Sequence, residues 1–163
     1  MSIPTALVSI SLFLPTEADT DRLGEWLAAK LGPGDVVLLH GHIGAGKTHL
    51  ARALIRSRLK CAVEVPSPTF TLIQTYDAGD TDIWHADLYR LSHPDEAIEL
   101  GLEDAFGTAV CLIEWPDRLG YLAPPNSLHL KFTREGAGRR VQLESSNHAI
   151  LMASLAHDWA NYV

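Results

Sequence analysis

The chain has 163 residues, of which 47% are hydrophobic and 20% are charged. This composition is ordinary for a globular domain and excludes a disordered tail, a coiled coil and a fibrous repeat. The 13 Lys and Arg residues and the 20 Asp and Glu residues give a net charge of −7, which argues against a broad basic face for nucleic acid, because Lys and Arg supply the phosphate contacts.

The lengths of the apolar runs and the spacing of the two cysteines indicate where in the cell the protein is expected. No apolar run approaches the ~20 residues that span a bilayer. Residues 6–14 are apolar, but no Lys or Arg precedes them and no small-residue cleavage site follows, so we expect no targeting segment. Cys61 and Cys111 lie far apart and match no metal-binding spacing. A cytoplasmic protein in a reducing compartment is the simplest interpretation.

The first part of the chain predicts a strand, a helix and then half of a βαβ unit. Alternating apolar residues over 8–14 indicate a strand, and helical spacing over 16–31 indicates a helix that Thr16 can cap. The continuous apolar run 36–39 is typical of a strand buried on both faces. A glycine-rich loop follows that run, and a helix is predicted over 47–59.

The remainder of the chain predicts mainly short strands. A short helix begins near Ser92 or Pro94, and an amphipathic helix covers 149–159. The predicted strands cover residues 70–76, 82–86, 109–113, 128–132 and 141–143. No linker interrupts the chain, so we predict one α/β domain over 1–163 whose mixed sheet has a parallel core and antiparallel additions.

The glycine-rich loop matches the phosphate-binding pattern G-x-x-x-x-G-K-[ST] in full. It comprises Gly41, His42, Ile43, Gly44, Ala45, Gly46, Lys47 and Thr48. Glycines let successive backbone N–H groups turn toward the β-phosphate, and the helix that follows adds positive potential. Lys47 can reach the β- and γ-phosphates, and Thr48 can supply a hydroxyl to Mg²⁺. The alternative is a glycine turn that merely begins a helix.

A phosphate-binding loop also needs a carboxylate at the end of a neighbouring buried strand to hold the metal. Glu114 directly follows the predicted strand over 109–113 and is the first candidate; Asp87 is the second. The alternative for Glu114 is a surface acid at a strand end, and the alternative for Asp87 is an acid in a turn or a partner for Arg90. His85 and Asp87 lack the further ligands that a zinc site requires.

Two residues beside these motifs are candidate contacts to the nucleotide or to a partner. Thr69 lies between the loop helix and the next strand, where such proteins often carry a switch threonine that senses the γ-phosphate. A proline turn at Pro68 is the alternative. Trp115 follows Glu114, where it can contact a ligand or anchor the core.

The base is predicted by elimination. Guanine-specific proteins use an Asn-Lys-x-Asp stretch, and this chain contains no Asn-Lys pair. Residues 104–107 match D-x-x-G, but they precede a buried strand instead of following one, so we interpret the match as chance. An adenine nucleotide is therefore favoured.

Five motifs, in this order and spacing, resemble the TsaE (YjeE) family. They are GHIGAGKT at 41–48, SPTF at 67–70, HADLYRL at 85–91, PDEAIELGLEDAF at 94–106 and IEWPDR at 113–118. Members of that family are bacterial ATPases that support synthesis of threonylcarbamoyladenosine at position 37 of tRNA. The resemblance spans residues 12–133 and implies a P-loop NTPase-like three-layer α/β domain that binds ATP and Mg²⁺.

The resemblance also implies partners. A family member would hydrolyse ATP slowly alone and would dock on a heterodimer of TsaB and TsaD. Hydrolysis would reset that complex between turnovers, and tRNA would be met only through the partners. The acidic net charge of this chain agrees with such indirect contact.

Residue by residue, the resemblance implies three catalytic residues and two metal ligands. Lys47 matches the phosphate lysine, and Thr48 and Glu114 match the metal ligands. Asp87 matches the acid of the H-x-D-x-Y motif, which orients the attacking water. These roles are expectations that follow from the family.

The resemblance also covers positions outside these two groups. Thr69 matches the switch threonine, and Thr20 matches a segment near the adenine. His42 and His49 depart from the family, which usually has an acid and often a threonine there; histidine titrates near neutrality. The arginine that assists hydrolysis is open among Arg90, Arg118, Arg139, Arg140 and one supplied in trans.

Two other functions stay open at this point. A small-metabolite kinase shares the loop and the size, but it usually has an arginine-bearing lid that we do not find in the sequence. A docking module gated by nucleotide, without useful hydrolysis, would use ATP to order residues 67–69 and 85–91.

Overall fold

The computed structural model describes residues 6–61 and 63–163. The strands are β1 (Val8–Leu14), β2 (Val36–His40), β3 (Ile73–Asp77), β4 (Asp82–Asp87), β5 (Val110–Glu114), β6 (Leu128–Glu135) and β7 (Gly138–Ser145). The α-helices are α1 (Glu17–Lys30), α2 (Lys47–Leu59), α3 (Asp95–Glu99), α4 (Leu102–Thr108) and α5 (Ala149–Asp158). Two 3₁₀ helices cover Pro116–Leu122 and Ala160–Tyr162. None of the helices in these ranges is both long enough and apolar enough to cross a membrane.

The strands form one mixed sheet in the order β1-β7-β6-β2-β5-β4-β3. The four central strands, β6, β2, β5 and β4, run parallel, while β7, β1 and β3 are antiparallel to their neighbours. The predicted fold class, with a parallel core and antiparallel additions, is confirmed. The continuous apolar runs of β2 and β5 explain their central place, because strands covered on both faces bury every side chain.

Helices cover both faces of the sheet and so give three layers. Adjacent residues of β2 point to opposite faces. Val37 and Leu39 pack in one core with residues of α1, α2 and α5. Val36 and Leu38 pack in a second core with residues of α3, α4 and the first 3₁₀ helix.

Helix α1 begins at the predicted cap and crosses α2 closely. The Thr16 hydroxyl accepts a hydrogen bond from the Asp19 N–H at 3.3 Å, and the Asp19 carboxylate accepts one from the Thr16 N–H at 3.1 Å. Gly24 forms the crossing point: a Cβ there would lie 2.8 Å from Ala53 Cβ and 2.9 Å from the Leu50 carbonyl oxygen. The missing side chain therefore lets α1 fix the position of α2.

The strand register brings the candidate site residues to one edge of the sheet. Leu39 of β2 is level with Glu114 of β5, and Glu114 is level with Asp87 of β4. The glycine-rich loop leaves β2 at this same edge. The carboxyl ends of three parallel strands therefore present the loop and both acids together.

The strand predicted over 70–76 begins later than expected, at Ile73. Residues 68–72 instead form a turn, in which the Leu72 N–H donates to the Pro68 carbonyl oxygen at 2.7 Å. Pro68 has no N–H with which to join a sheet ladder. The prediction was wrong for this segment because alternating apolar residues continue into the turn.

Two internal helical segments, and the short 3₁₀ helix Ala160–Tyr162, lie where none was predicted. Helix α4 directly follows α3, and the first 3₁₀ helix follows β5. Each is too short for a helical period to stand out, since α4 buries only Leu102 and Ala105. The D-x-x-G match over 104–107 lies within α4, which fits its interpretation as chance.

Candidate nucleotide-binding site

A cleft of about 510 Å³ lies at the carboxyl ends of β2, β5 and β4. Ligands of open α/β sheets bind at this kind of edge. The sequence-predicted residues that line it are Ile43, Gly44, Gly46, Lys47, Thr48, His49, Thr69, Asp87, Glu114 and Trp115. The loop, both candidate carboxylates and the candidate switch threonine therefore share one cleft.

The end of the glycine-rich loop forms the N-terminus of α2. Gly46 precedes the helix with φ +115°, a conformation that favours glycine, and no side chain within the described ranges caps α2. The first N–H groups of a helix have no partners inside the helix, and they carry its positive dipole end. This end of α2 can therefore bind an anion.

Lys47 holds a positive charge at the base of the cleft. Its ammonium donates to the Gly41 carbonyl oxygen at 2.6 Å and lies 3.8 Å from the centre of the Trp115 ring. Burial lowers the pKa of Lys47, while the carboxylates of Glu114, Asp87 and Asp117 act in the opposite direction. A flexible cation in this position can reach a phosphate bound at the loop.

Glu114 is buried between two hydrogen-bonding partners. One carboxylate oxygen accepts from the Thr48 hydroxyl at 2.7 Å, and the other lies 2.7 Å from His85 Nε2. Burial acts to raise the pKa of Glu114, but the hydrogen bond and charge of His85, the Thr48 hydroxyl and the charge of Lys47 together lower it below its usual value. An ionised carboxylate next to a hydroxyl is the oxygen donor set that Mg²⁺ prefers, so these residues fit that ion.

Asp87 lies at the end of β4 and is joined to the predicted switch segment. One carboxylate oxygen accepts from the Tyr89 N–H at 3.1 Å, and the other accepts from the Thr69 hydroxyl at 3.3 Å. The Thr69 hydroxyl also lies 2.8 Å from that of Ser67. Arg90, the alternative partner, instead has its guanidinium 4.6 Å from the centre of the Phe70 ring.

The side of the cleft next to β5 is aromatic. Trp115 adopts a left-handed backbone conformation with φ 57° and is half-buried. Its ring centre lies 5.0 Å from that of Tyr89. Trp115 therefore forms part of the cleft wall and does not anchor the core.

The sequence model described as "Threonylcarbamoyl adenosine biosynthesis protein TsaE" matches residues 14–141, a range that contains every residue lining the cleft. The chain belongs to the TsaE family. The resemblance stated from the motifs is confirmed. As a member of this family, the chain is a protein of threonylcarbamoyladenosine biosynthesis.

Relatives of known name agree with this membership. The "tRNA threonylcarbamoyladenosine biosynthesis protein TsaE" of Rickettsia conorii is 38% identical over 135 residues, which are 83% of this chain and 77% of the relative. The Haemophilus influenzae protein of the same name is 32% identical over 83% of this chain and 89% of its own. The crystal structure of Bacillus subtilis YdiB superposes with a TM-score of 0.79 at 27% identity, covering 94% of this chain and 97% of YdiB.

Four sequence-predicted residues of the TsaE-family chain do not line the cleft. Gly41 and His42 line a second cleft of about 450 Å³ on the other side of the loop. Ala45 is buried in the core below the loop. Thr20 is fully buried in α1, where its hydroxyl has no hydrogen-bond partner among the described residues; Glu17 is the residue of α1 that reaches the cleft. A place for Thr20 near the adenine stays a prediction.

The candidate arginines separate into two groups. Arg90 and Arg139 line the cleft. Arg118 lies 5.8 Å from the centre of the Tyr89 ring. Arg140 points away and donates to Glu135 at 3.0 Å and to Ser11 at 3.3 Å. Of the four candidate arginines in this chain, Arg90 and Arg139 are therefore the two that reach the cleft.

The sequence reasoning missed one contact at the centre of the site. His85, set aside as half of an incomplete zinc pair, is fully buried and bonded to Glu114. Its Nδ1 has no partner within the described part of the chain. The sequence did carry a signal for this contact. His85 and Asp87 are two residues apart on β4, so their side chains face the same side of the sheet, next to the end of β5.

Proposed function

We propose that this chain binds and hydrolyses ATP with Mg²⁺ and so drives threonylcarbamoyl modification of adenosine 37 in tRNA. Its target is a TsaB–TsaD complex, which it resets between turnovers in the cytoplasm. The observation that carries the proposal is the bond between Thr48 and Glu114, at 2.7 Å, inside the cleft that Lys47 and Asp87 also line. A phosphate-binding loop, a metal-ligand pair and a second acid are thus combined in one place.

The phosphates are held by the loop. The N-terminus of α2 supplies N–H donors, and Lys47 supplies a mobile charge that can leave the Gly41 carbonyl for a phosphate oxygen. Thr48 and Glu114 would hold Mg²⁺, which when bound neutralises charge on the phosphate oxygens. His85 keeps the Glu114 carboxylate oriented toward Thr48.

The second acid acts on water. Asp87 is nearly buried, with about 7% of its surface exposed, and it lies level with Glu114 on the neighbouring strand. A carboxylate in this position can orient the attacking water and accept its proton. Thr69, bonded to Asp87 at 3.3 Å, is placed to change its contacts when a γ-phosphate arrives.

The chain meets tRNA only through its partners. Its net charge is −7, so an extended phosphate backbone would be repelled by most of its surface. The TsaB–TsaD pair supplies the catalytic centre for the transfer, and this chain supplies the ATPase cycle.

The test measures the threonylcarbamoyladenosine content of bulk tRNA by nucleoside digestion and mass spectrometry. Cells depleted of this protein are rescued with wild type, with Lys47→Ala or with Lys30→Ala. Lys30 is an exposed lysine at the end of α1 and serves as the matched control. Depleted cells should lose the modified nucleoside, and only wild type and the control should restore it. Full rescue by Lys47→Ala would contradict the proposal.

A second assay separates the proposal from the two alternatives. Purified protein with TsaB–TsaD should release free phosphate from ATP, and Asp87→Ala and Glu114→Ala should reduce that release at least tenfold. Stoichiometric phosphate transfer to a small alcohol would favour the kinase. Full tRNA modification by variants that bind ATP but do not hydrolyse it would favour the docking module.

A further inference from the structure

Two arginines of helix α2 bind the stretch of chain that leads to Thr69. The Arg52 Nε–H donates to the Val65 carbonyl oxygen at 2.8 Å, and the Arg56 Nε–H donates to the Val63 carbonyl oxygen at 3.0 Å. Four residues of helix advance by about 6 Å, and two residues of extended chain advance by about 6.5 Å. Because these two distances match, both arginines can bind the same stretch of backbone at once.

This pairing also sets the direction in which the stretch runs. The earlier arginine binds the later carbonyl, so residues 63–67 run alongside α2 toward its N-terminus. That end of the helix begins at the glycine-rich loop. The switch segment, residues 67–69, comes next and lines the cleft through Ser67 and Thr69. Helix α2 therefore carries the loop and also holds the backbone that brings the switch segment to the same cleft.

Backbone hydrogen bonds do not hold this stretch in place. Within the described part of the chain, residues 63–67 belong to no helix or strand and make no backbone–backbone hydrogen bond. Pro66 and Pro68 have no N–H to donate. The Val65 side chain is buried in the core, but apolar contact is non-directional and does not orient a peptide group. The arginine bonds supply that orientation.

Arg52 is the better placed of the two anchors. Its carbonyl partner, Val65, lies two residues before Ser67, whereas the partner of Arg56 lies four residues before it. The Arg52 side chain is half-buried and that of Arg56 is exposed. A hydrogen bond from a charged group is stronger where solvent is excluded. The position of the switch segment therefore depends mainly on Arg52.

The switch segment in turn contacts Asp87, the acid that we place next to the attacking water. The Thr69 hydroxyl donates to the Asp87 carboxylate at 3.3 Å and lies 2.8 Å from the Ser67 hydroxyl. A length of 3.3 Å is already greater than that of a typical O–H···O hydrogen bond. A small displacement of the segment would therefore break the contact between Thr69 and Asp87.

We infer that Arg52 is a positioning residue for hydrolysis: through the Val65 carbonyl it holds Thr69 against Asp87. This inference rests on the proposed function and adds to it a physical connection between the loop helix and the switch segment. In the described structure Arg52 does not line the cleft. Its loss should therefore slow the chemical step and leave the binding of nucleotide intact.

The test separates the rate of hydrolysis from the affinity for nucleotide. ATP turnover by the full chain is measured with TsaB–TsaD, and the Kd for ADP is measured by calorimetry. Arg52→Gln should lower kcat roughly tenfold, because a misplaced catalytic group reacts more slowly. The KM for ATP should change less than about threefold and the Kd for ADP less than about twofold. Arg52→Lys keeps a charged donor and should recover part of the lost kcat.

Arg58, on the same helix, provides a matched control. Its guanidinium also donates to backbone carbonyls, those of Ala28 at 2.7 Å and Leu31 at 2.6 Å. These carbonyls lie at the end of α1 and not in the switch segment. Arg58→Gln therefore removes the same charge and the same kind of bond, but its kcat should stay within about twofold of wild type.

Hydrogen exchange measures the anchoring of the segment without any activity. The Leu72 N–H donates to the Pro68 carbonyl oxygen at 2.7 Å in the turn that follows the switch segment. Arg52→Gln should speed amide exchange over residues 65–72 by roughly tenfold, and Arg58→Gln should leave it unchanged. Wild-type exchange over this range in Arg52→Gln would overturn the inference.

The outcomes separate this inference from the proposed function. If wild type with TsaB–TsaD does not hydrolyse ATP, the proposed function fails and the inference fails with it. If wild type hydrolyses ATP and Arg52→Gln matches its kcat, only the inference is overturned. An equal loss of kcat in Arg58→Gln would also overturn it, because the effect would then be a general loss of stability. If Arg52→Gln does not fold, Arg52→Lys decides the question, with an expected fall in kcat of about two- to fivefold at unchanged ADP affinity.

Discussion

At the scale of single residues, the Glu114 carboxylate links helix α2 to strand β4 inside the cleft. Its carboxylate is buried, and each of its two oxygens has a partner: Thr48 on one side and His85 on the other. A buried charge is tolerated only when it is paired and hydrogen-bonded. The Thr48 bond points Glu114 at the loop, and the His85 bond prevents it from turning away.

His85→Ala should therefore weaken the proposed Mg²⁺ site without changing the glycine-rich loop. The Mg²⁺ concentration that gives half-maximal ATP hydrolysis should rise by roughly 10- to 100-fold, as expected when an outer partner of a metal ligand is lost. ADP affinity measured without Mg²⁺ should change little. His85→Gln, which keeps a donor, should be milder than His85→Ala in the same Mg²⁺ titration.

The same substitution tests the energetic cost of leaving Glu114 with one partner fewer. Thermal unfolding of His85→Ala should show a loss of about 1–3 kcal/mol, the usual cost of an unsatisfied buried group. An unchanged Mg²⁺ requirement together with normal stability would mean that His85 neither positions nor stabilises Glu114.

At the scale of elements, the crossing of α1 and α2 fixes the position of α2, the helix that begins at the end of the glycine-rich loop. Gly24 lets the two helices approach until its Cα faces Ala53 and the Leu50 carbonyl. Any side chain at this point would push α2, and with it Lys47 and Thr48, away from β5.

Gly24→Val should consequently damage both stability and binding. We expect a loss of about 1–3 kcal/mol in the free energy of unfolding, the range found for overpacked sites. ADP affinity should fall as well, because α2 carries the loop. Gly32→Val is a suitable control, since a Cβ at Gly32 meets nothing within 4 Å. Urea unfolding and calorimetry would detect both effects, and a Gly24→Val variant that matches the control would contradict the argument.

The parallel pair β2–β6 contains a second feature at this scale, a stacked pair of histidines. His40 Nε2 lies 2.9 Å from His129 Nδ1, with ring centres 5.1 Å apart. Burial lowers the pKa of His40 from its ordinary 6.5 to about 4, and the nearby charges of His129 and Lys131 act in the same direction. Burial lowers the pKa of His129 as well.

This pair should make stability depend on pH in a defined window. As pH falls from about 6.5 to about 4, the unfolded chain takes up a proton at His40 that the folded chain does not accept. The free energy of unfolding therefore decreases as the pH falls through this window. Above about pH 6.5, His40 is neutral in both states and adds no pH dependence. His40→Gln should lose less stability than wild type between about pH 7 and pH 5 in urea titrations. Parallel pH profiles for the two proteins would show that His40 does not contribute.

At the scale of the whole molecule, one sheet edge brings together Lys47, Thr48, Asp87 and Glu114. The cleft of about 510 Å³ is lined by residues of α1, α2, β4, β5 and β7 and of the loops between them. A ligand bound there contacts several elements that are distant in sequence. Binding should therefore stabilise the fold as a unit.

Nucleotide should raise the unfolding temperature of the whole chain. At a ligand concentration about 100 times the Kd, the expected stabilisation is about 2.7 kcal/mol. For a domain of this length that corresponds to a rise of roughly 5–10 °C. Scanning calorimetry with ATP and Mg²⁺ should show the rise in wild type and its near absence in Lys47→Ala. An equal rise in both proteins would indicate that the nucleotide binds outside the loop.

Local patterns in the sequence determined much of this protein. The strand, glycine-rich loop and helix around Lys47 could be predicted because each depends on neighbouring residues: an apolar run, glycines and a helical period. Glu114 could be predicted for the same reason, since a charged residue after a buried strand has to lie at the edge of the sheet. The cap at Thr16 and the antiparallel pair β6–β7 are equally local.

Only the tertiary structure decided which distant residues meet. The order of strands in the sheet depends on packing between segments far apart in the chain, and periodicity carries no signal for it. That order brings Arg139 of β7 against Gly46 and sets His85 of β4 beside Glu114. The sequence by itself thus predicted a glycine-rich phosphate loop and a carboxylate at the end of β5; the strand order, a nonlocal property, decided that a histidine supports that carboxylate and that an arginine faces the loop.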